Sequence, residues 1–118
     1  MSSYNSHMMG SSKLFVYRSN GIASSVLDRH CISFIRDYKV KFVMFSKDNE
    51  IKRWCQIHDF ETIKSTSDFA LIDNSDACVI FWDGIDKYGK QLYLAAKKQN
   101  KPYVVFICQQ NGTILNVC

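Results

Sequence analysis

The densest set of reactive side chains in the sequence is Trp82-Asp83-Gly84-Ile85-Asp86-Lys87-Tyr88-Gly89-Lys90. It follows an unbroken apolar run, Ala77 to Trp82, and leads into Lys90 to Gln99, where Leu92, Tyr93, Ala95 and Ala96 recur on one helical side. A strand that runs through a glycine-containing loop into a helix is a place where phosphate can meet backbone N–H groups. There Lys90 and the helix amino terminus would contact phosphate, with Gly84, Lys87 and Gly89 close by. Asp83 or Asp86 would accept ribose hydroxyls, and Trp82 or Tyr88 would stack on a base. A second polar loop, Arg18-Ser19-Asn20-Gly21, ends the short apolar run Leu14 to Tyr17 and supplies Arg18, Ser19 and Asn20 as an opposite wall. A third, Ser46-Lys47-Asp48-Asn49, adds Ser46 and Asp48, with Asp48 also placed to cap the helix that follows.

Each of these residues also has a plainer reading. Asp83-Gly84 can be a simple turn and the lysines solvated. Cys31, Cys55, Cys78 and Cys108 lie in apolar patterns and read as core filler, since the five cysteines have no C-x-x-C or metal spacing. His30 borders an apolar helix stripe with no acid or nucleophile spaced to meet it, which suits a partly buried, hydrogen-bonded histidine. Trp54 reads as packing against a sheet rather than as a stacking platform.

The elements that must position the loops follow from periodicity. Leu14 to Tyr17 is a first strand. Ser25 with Asp28 resembles a capping box, and Leu27, Cys31, Phe34, Ile35 and Tyr38 carry a helix to about Tyr38. Phe42 to Phe45 is the second strand, followed by a helix with Ile51, Trp54, Cys55 and His58 on one side. Thr62 to Lys64 is a short edge strand, and Ser65, Thr66 and Ser67 offer caps for a helix from Asp68 to Asn74. Ala77 to Trp82, the following helix, and Tyr103 to Cys108 after Lys101-Pro102 form a right-handed βαβ unit. Asn111-Gly112 signals a hairpin turn, with Thr113 to Val117 returning as an antiparallel edge strand and a possible homodimer contact. The fold expected is α/β: a Rossmann-like three-layer α/β/α domain of about five parallel strands, order 3-2-1-4-5, plus the terminal hairpin strand. That order puts the switch point between the first and fourth strands, so Arg18 to Gly21 and Asp83 to Lys90 should face one another across a crevice.

Length and composition bound the functions. The 118 residues suit one domain, here residues 13–118, able to bury roughly two thirds of its unfolded surface. Residues 1–12 lack helical periodicity and a signal core, and resemble a cloning scar before a native start. No apolar stretch approaches the ~20 residues of a membrane span, so a soluble protein without membrane contact is expected, and the lack of a targeting segment together with the five cysteines makes cytoplasm the expected compartment. The formal charge of +4 is spread over scattered lysines, which argues against nucleic acid as a partner but leaves small anions open.

From Asp76 onward the chain resembles the carboxyl-terminal half of the SLOG superfamily, Rossmann-like nucleotide-binding domains related to the DNA-processing protein A and LOG phosphoribohydrolase proteins. Ser75-Asp76 stands before the strand, Phe81-Trp82-Asp83-Gly84 closes it, and Ala96 and Lys101-Pro102 follow at the family's intervals, over residues 67 to 108. The likeness is to a small single-domain member with degenerate motifs. Where the family has S-x-G-T this chain has Asp86-Lys87-Tyr88-Gly89, so a phosphate cradle would be rebuilt from Gly89, Lys90 and the helix amino terminus. The family's asparagine falls at Asp68, which adds Asp68 to the ligand-binding candidates. The glycine-rich motif after the second strand is replaced by Ser46-Lys47-Asp48-Asn49, and Gly-Ser-Arg of the first loop is permuted to Arg18-Ser19-Asn20.

Three functions compete. The leading one is a small nucleotide or nucleotide-derivative binding module, non-catalytic and without a cofactor. The second is an enzyme acting on an N-glycosidic bond, because nucleoside deoxyribosyltransferases resemble the same strand-loop-helix pattern; these need a carboxylate nucleophile on the helix, where this chain has Gln91, Leu92 and Tyr93. The third is a degenerate domain that works through protein contacts or homodimerisation.

Overall fold

Alternate residues of the inner strands face opposite ways, and the two apolar sets that result must be covered from both sides. Leu14, Val16, Val43, Phe45, Ala77, Val79 and Phe81 face one side, and Phe15, Met44, Cys78 and Ile80 the other. A sheet buried on both faces is the arrangement of parallel α/β proteins. The computed structural model describes residues 12–107 and the backbone of residues 108 and 114–117. Its strands are β1 (Ser12–Arg18), β2 (Val40–Phe45), β3 (Glu61–Lys64), β4 (Ala77–Trp82), β5 (Tyr103–Cys108) and β6 (Ile114–Val117). The sheet order is β3-β2-β1-β4-β5-β6, parallel through β5, with β6 antiparallel on the β5 edge.

The first face is covered by a π-helical turn (Leu27–Cys31) running into α1 (Ile32–Tyr38), and by α2 (Asn49–Ile57). The second is covered by α3 (Asp68–Asn74) and α4 (Lys87–Lys98). The chain is therefore a three-layer, Rossmann-like α/β/α domain with five parallel strands in the order 3-2-1-4-5. Fully buried Phe15, Phe45 and Phe81 anchor the central strands, each side chain stabilising by about 1.5–3 kcal/mol relative to exposure. No helix among the described residues is long and apolar enough to cross a membrane.

Several local expectations change. Ser25 and Asp28 form no capping box: the first helical segment has no side-chain cap, and Asp28 instead accepts from Trp54 Nε1 at 2.8 Å. The π-helical turn keeps both Leu27 and Cys31 buried against the sheet. α4 begins three residues before Lys90 because the Asp86 side chain caps it by accepting from Tyr88 N. Ser12 already belongs to β1, and β2 begins at Val40. His30 is partly buried as expected, but its ring packs on Phe106, centroids 4.5 Å apart, and makes no hydrogen bond among the described residues. Cys31, Cys55 and Cys78 are free and buried, and burial pushes the Cys55 thiol up to about 12. The Asn111-Gly112 turn lies outside the described residues.

Candidate functional site

The carboxyl end of β1 sends successive residues to different neighbours. Tyr17 and Ser19 turn toward the β4 exit, and Arg18 turns toward the β2 exit. Two notches result, and they differ.

The notch between β1 and β4 is filled by the protein. Asp86 Oδ2 accepts from Tyr17 Oη at 2.5 Å and from Ser19 Oγ at 3.0 Å, while Oδ1 accepts from Tyr88 N at the start of α4. Ser19 is fully buried; its N–H donates to Phe81 O, and its Oγ accepts from Asp83 N. Partial burial works against the Asp86 charge, but hydrogen bonds from Tyr17, Ser19 and the Gly89 and Tyr88 N–H groups outweigh it and hold the carboxyl below its ordinary range. Burial, the bond to Asp86 and its negative charge push the Tyr17 hydroxyl well up. Asp83 folds its own loop, accepting from Ile85 N and Asp86 N, and Trp82 Nε1 donates to Asp86 O at 2.7 Å. Gly89 serves packing: a Cβ there would lie 2.8 Å from Trp82 Cδ1 and 3.0 Å from Asp86 Oδ2. Gly84, at φ 86°, provides the left-handed turn.

The notch on the other side of β1 is open. A cavity of about 540 Å³ lies at the carboxyl ends of β1 and β2 and the exit of β3, walled by α2, α3 and the first turn of α4. Arg18 and Asp48 form its brace: Nε and Nη2 of Arg18 reach Asp48 Oδ2 and Oδ1 at 3.0 and 2.9 Å, a bidentate pair, while Nη1 donates to Ile22 O. Asp48 also caps α2, accepting from Glu50 N and Ile51 N. Asp68, the first residue of α3, is buried at the cavity wall. Its Oδ2 accepts from Tyr88 Oη at 2.6 Å, and its Oδ1 meets no donor among the described residues. Burial, together with the bond to Asp68 and the charges of Asp68 and Asp86, raises the Tyr88 hydroxyl to about 12, so it stays a neutral donor near pH 7. The side chains of Asn20, Ser46, Lys47, Asn49 and Thr66 line the same space with no hydrogen bond among the described residues, which leaves them available to a ligand.

Of the residues nominated from sequence, Arg18, Asn20, Ser46, Asp48, Asp68 and Tyr88 come together around the cavity. Ser19, Trp82, Asp83, Gly84, Asp86, Lys87, Gly89 and Lys90 do not line it; Lys87 and Lys90 are exposed. The loops Arg18 to Gly21 and Asp83 to Lys90 do face one another, joined by the Ser19–Asp86 contact, and of them Arg18, Asn20 and Tyr88 line the cavity. Lys47, Asn49 and Thr66 were not nominated. Thr66 read only as a helix cap, although a β3 exit beside those of β2 and β1 places it on the same edge. Among the described residues no group of His, Cys, Asp and Glu could hold a metal ion. In comparisons with known proteins the chain matches no family model, no curated protein and no solved structure.

Proposed function

We propose that this protein is a binding module for a nucleotide or nucleotide derivative, seated in the cavity at the ends of β1, β2 and β3. The observation that carries the reading is the buried Asp68 carboxylate at the cavity wall, one oxygen of which meets no donor among the described residues. Buried polar atoms are nearly always satisfied by protein, water or ligand, so a buried oxygen without a protein donor beside a cavity is a place where a ligand's donor can bind. The volume of about 540 Å³ falls in the range of small-molecule sites. The available amide and hydroxyl groups of Asn20, Ser46, Asn49 and Thr66 suit a ligand with many polar atoms. The resemblance of residues 67–108 to SLOG domains supports the same class.

The test is a thermal-shift panel of nucleosides, mononucleotides, ADP-ribose-type nucleotides and NAD, repeated on Thr66→Trp, an exposed cavity-wall position. A ligand at a hundredfold excess over its dissociation constant stabilises the native state by about 2.7 kcal/mol. One ligand class should raise the melting temperature of the parent protein and not of Thr66→Trp. A panel without any shift, or a shift that survives the substitution, refutes this site.

A further inference from the structure

Three helices begin at this edge of the sheet, and each amino terminus is already closed by the chain. Asp48 caps α2, Ser67 Oγ accepts from Ala70 N at the start of α3, and Asp86 caps α4. At two of these ends an incoming phosphate would meet a carboxylate in the place it would have to take. The cavity wall itself carries the carboxylates of Asp48, Glu50 and Asp68 against the cations of Arg18 and Lys47. Arg18 is engaged with Asp48 on two nitrogens and with Ile22 O on the third. Lys47 is exposed and makes no ion pair among the described residues, so it is a single flexible charge at the rim. This is a poor field for a phosphate and a good one for a donor.

Asp68 gives that donor a definite place. The residue is 6% exposed and lines the cavity, Tyr88 holds Oδ2, and Oδ1 meets no donor among the described residues. Tyr88 is itself steadied by edge contacts with Tyr17 and Phe69, ring centroids 5.7 and 5.9 Å away. Building on the binding reading above, we infer that the cavity selects its ligand through hydrogen-bond donors rather than phosphate: a nucleoside-like molecule donates an amine or hydroxyl hydrogen to Asp68 Oδ1, and any phosphate it carries remains in solvent. A phosphate group then adds little affinity, and removing the donor removes much of it.

Calorimetric titration of the intact protein with the common nucleosides and their 5′-monophosphates separates these contributions. Each nucleoside that binds should do so within about threefold of its monophosphate, with weak salt dependence, because a solvent-exposed phosphate is screened. Asp68→Asn, checked for native circular dichroism, should weaken the best nucleoside about tenfold or more through loss of a charge-assisted bond. Analogues lacking the exocyclic amine or the ribose hydroxyls identify the donor, and a comparable loss with either one supports the inference. Binding that requires the phosphate overturns it while the cavity reading stands, and so does nucleoside affinity unchanged by Asp68→Asn and by both analogues. No binding by any nucleoside or nucleotide overturns both.

Discussion

On one side of β1 the strand end is sealed by Ser19, Tyr17 and Asp86; on the other, Arg18 and Asp48 hold an open cavity with Asp68 on its far wall. Both notches lie at carboxyl ends of parallel strands, and strand order alone favours the sealed one, the switch point between β1 and β4. The difference lies in how the carboxylates are used. Asp86 is satisfied wholly from within the chain, so its notch is structure. Asp68 is buried yet only half satisfied among the described residues, so its notch is suited to a ligand. Topology places the candidate notches, and hydrogen-bond satisfaction decides between them.

Breaking the sealed notch should cost the most. Asp86→Ala removes the α4 cap and strands the hydroxyls of buried Ser19 and of Tyr17, for an expected loss of about 2–4 kcal/mol in urea unfolding. A loss below about 0.5 kcal/mol would mean that the network does not hold the notch shut. Gly89→Ala comes next. Alanine ordinarily favours a helix, but here its Cβ would press on Trp82 and Asp86, and a destabilisation of about 1–2 kcal/mol is expected; a gain in stability would show that the packing yields. Smaller still is the acid response. The folded-state pKa of Asp86 lies below its unfolded value, so its contribution is present above the ordinary carboxyl range and disappears as pH falls through the folded value. Unfolding midpoints measured from neutral to acid pH should fall less steeply in Asp86→Asn than in the parent protein. The smallest effect is expected on the open side: Asp68→Asn should change stability by no more than about 0.5 kcal/mol, because losing a charge from a half-satisfied site offsets a weaker bond to Tyr88. A large loss there would make Asp68 a structural group like Asp86 and erase the contrast.

The sheet was legible in the sequence because its strands are apolar runs cut by strong breakers. Ala77 to Trp82 ends at Asp83-Gly84 and Tyr103 to Cys108 follows Pro102, and both lie where the pattern puts them. The helix from Asp68 to Asn74 likewise keeps its expected bounds. The π-helical turn left no clear mark, since Leu27 and Cys31 fit an ordinary helical stripe as well. Lys39 ends α1 at φ 51° without the glycine that usually signals such a cap. At the site, exit-loop position was enough to nominate Arg18, Asn20, Ser46 and Asp48, and the family resemblance added Asp68. The sealing of the other notch was hidden because it depends on Ser19 meeting Asp86, 67 residues away, a contact no local pattern encodes.

Lys101 ties the end of α3 to a distant part of the chain. Its ammonium donates to Ile72 O, to Asp73 O at 2.7 Å and to Ser75 O at 2.7 Å, gathering the carbonyls around the last turn of α3. Gln99 Nε2 adds a bond to Asp73 Oδ1 at 2.6 Å. Helix ends need such partners, and here they arrive from beyond α4. During folding the last turn of α3 therefore gains its full complement of bonds only after α4 has formed and returned the chain to the start of β5. In hydrogen exchange, α3 and the α4–β5 connection should open as one unit, and Lys101→Met should raise the exchange of both.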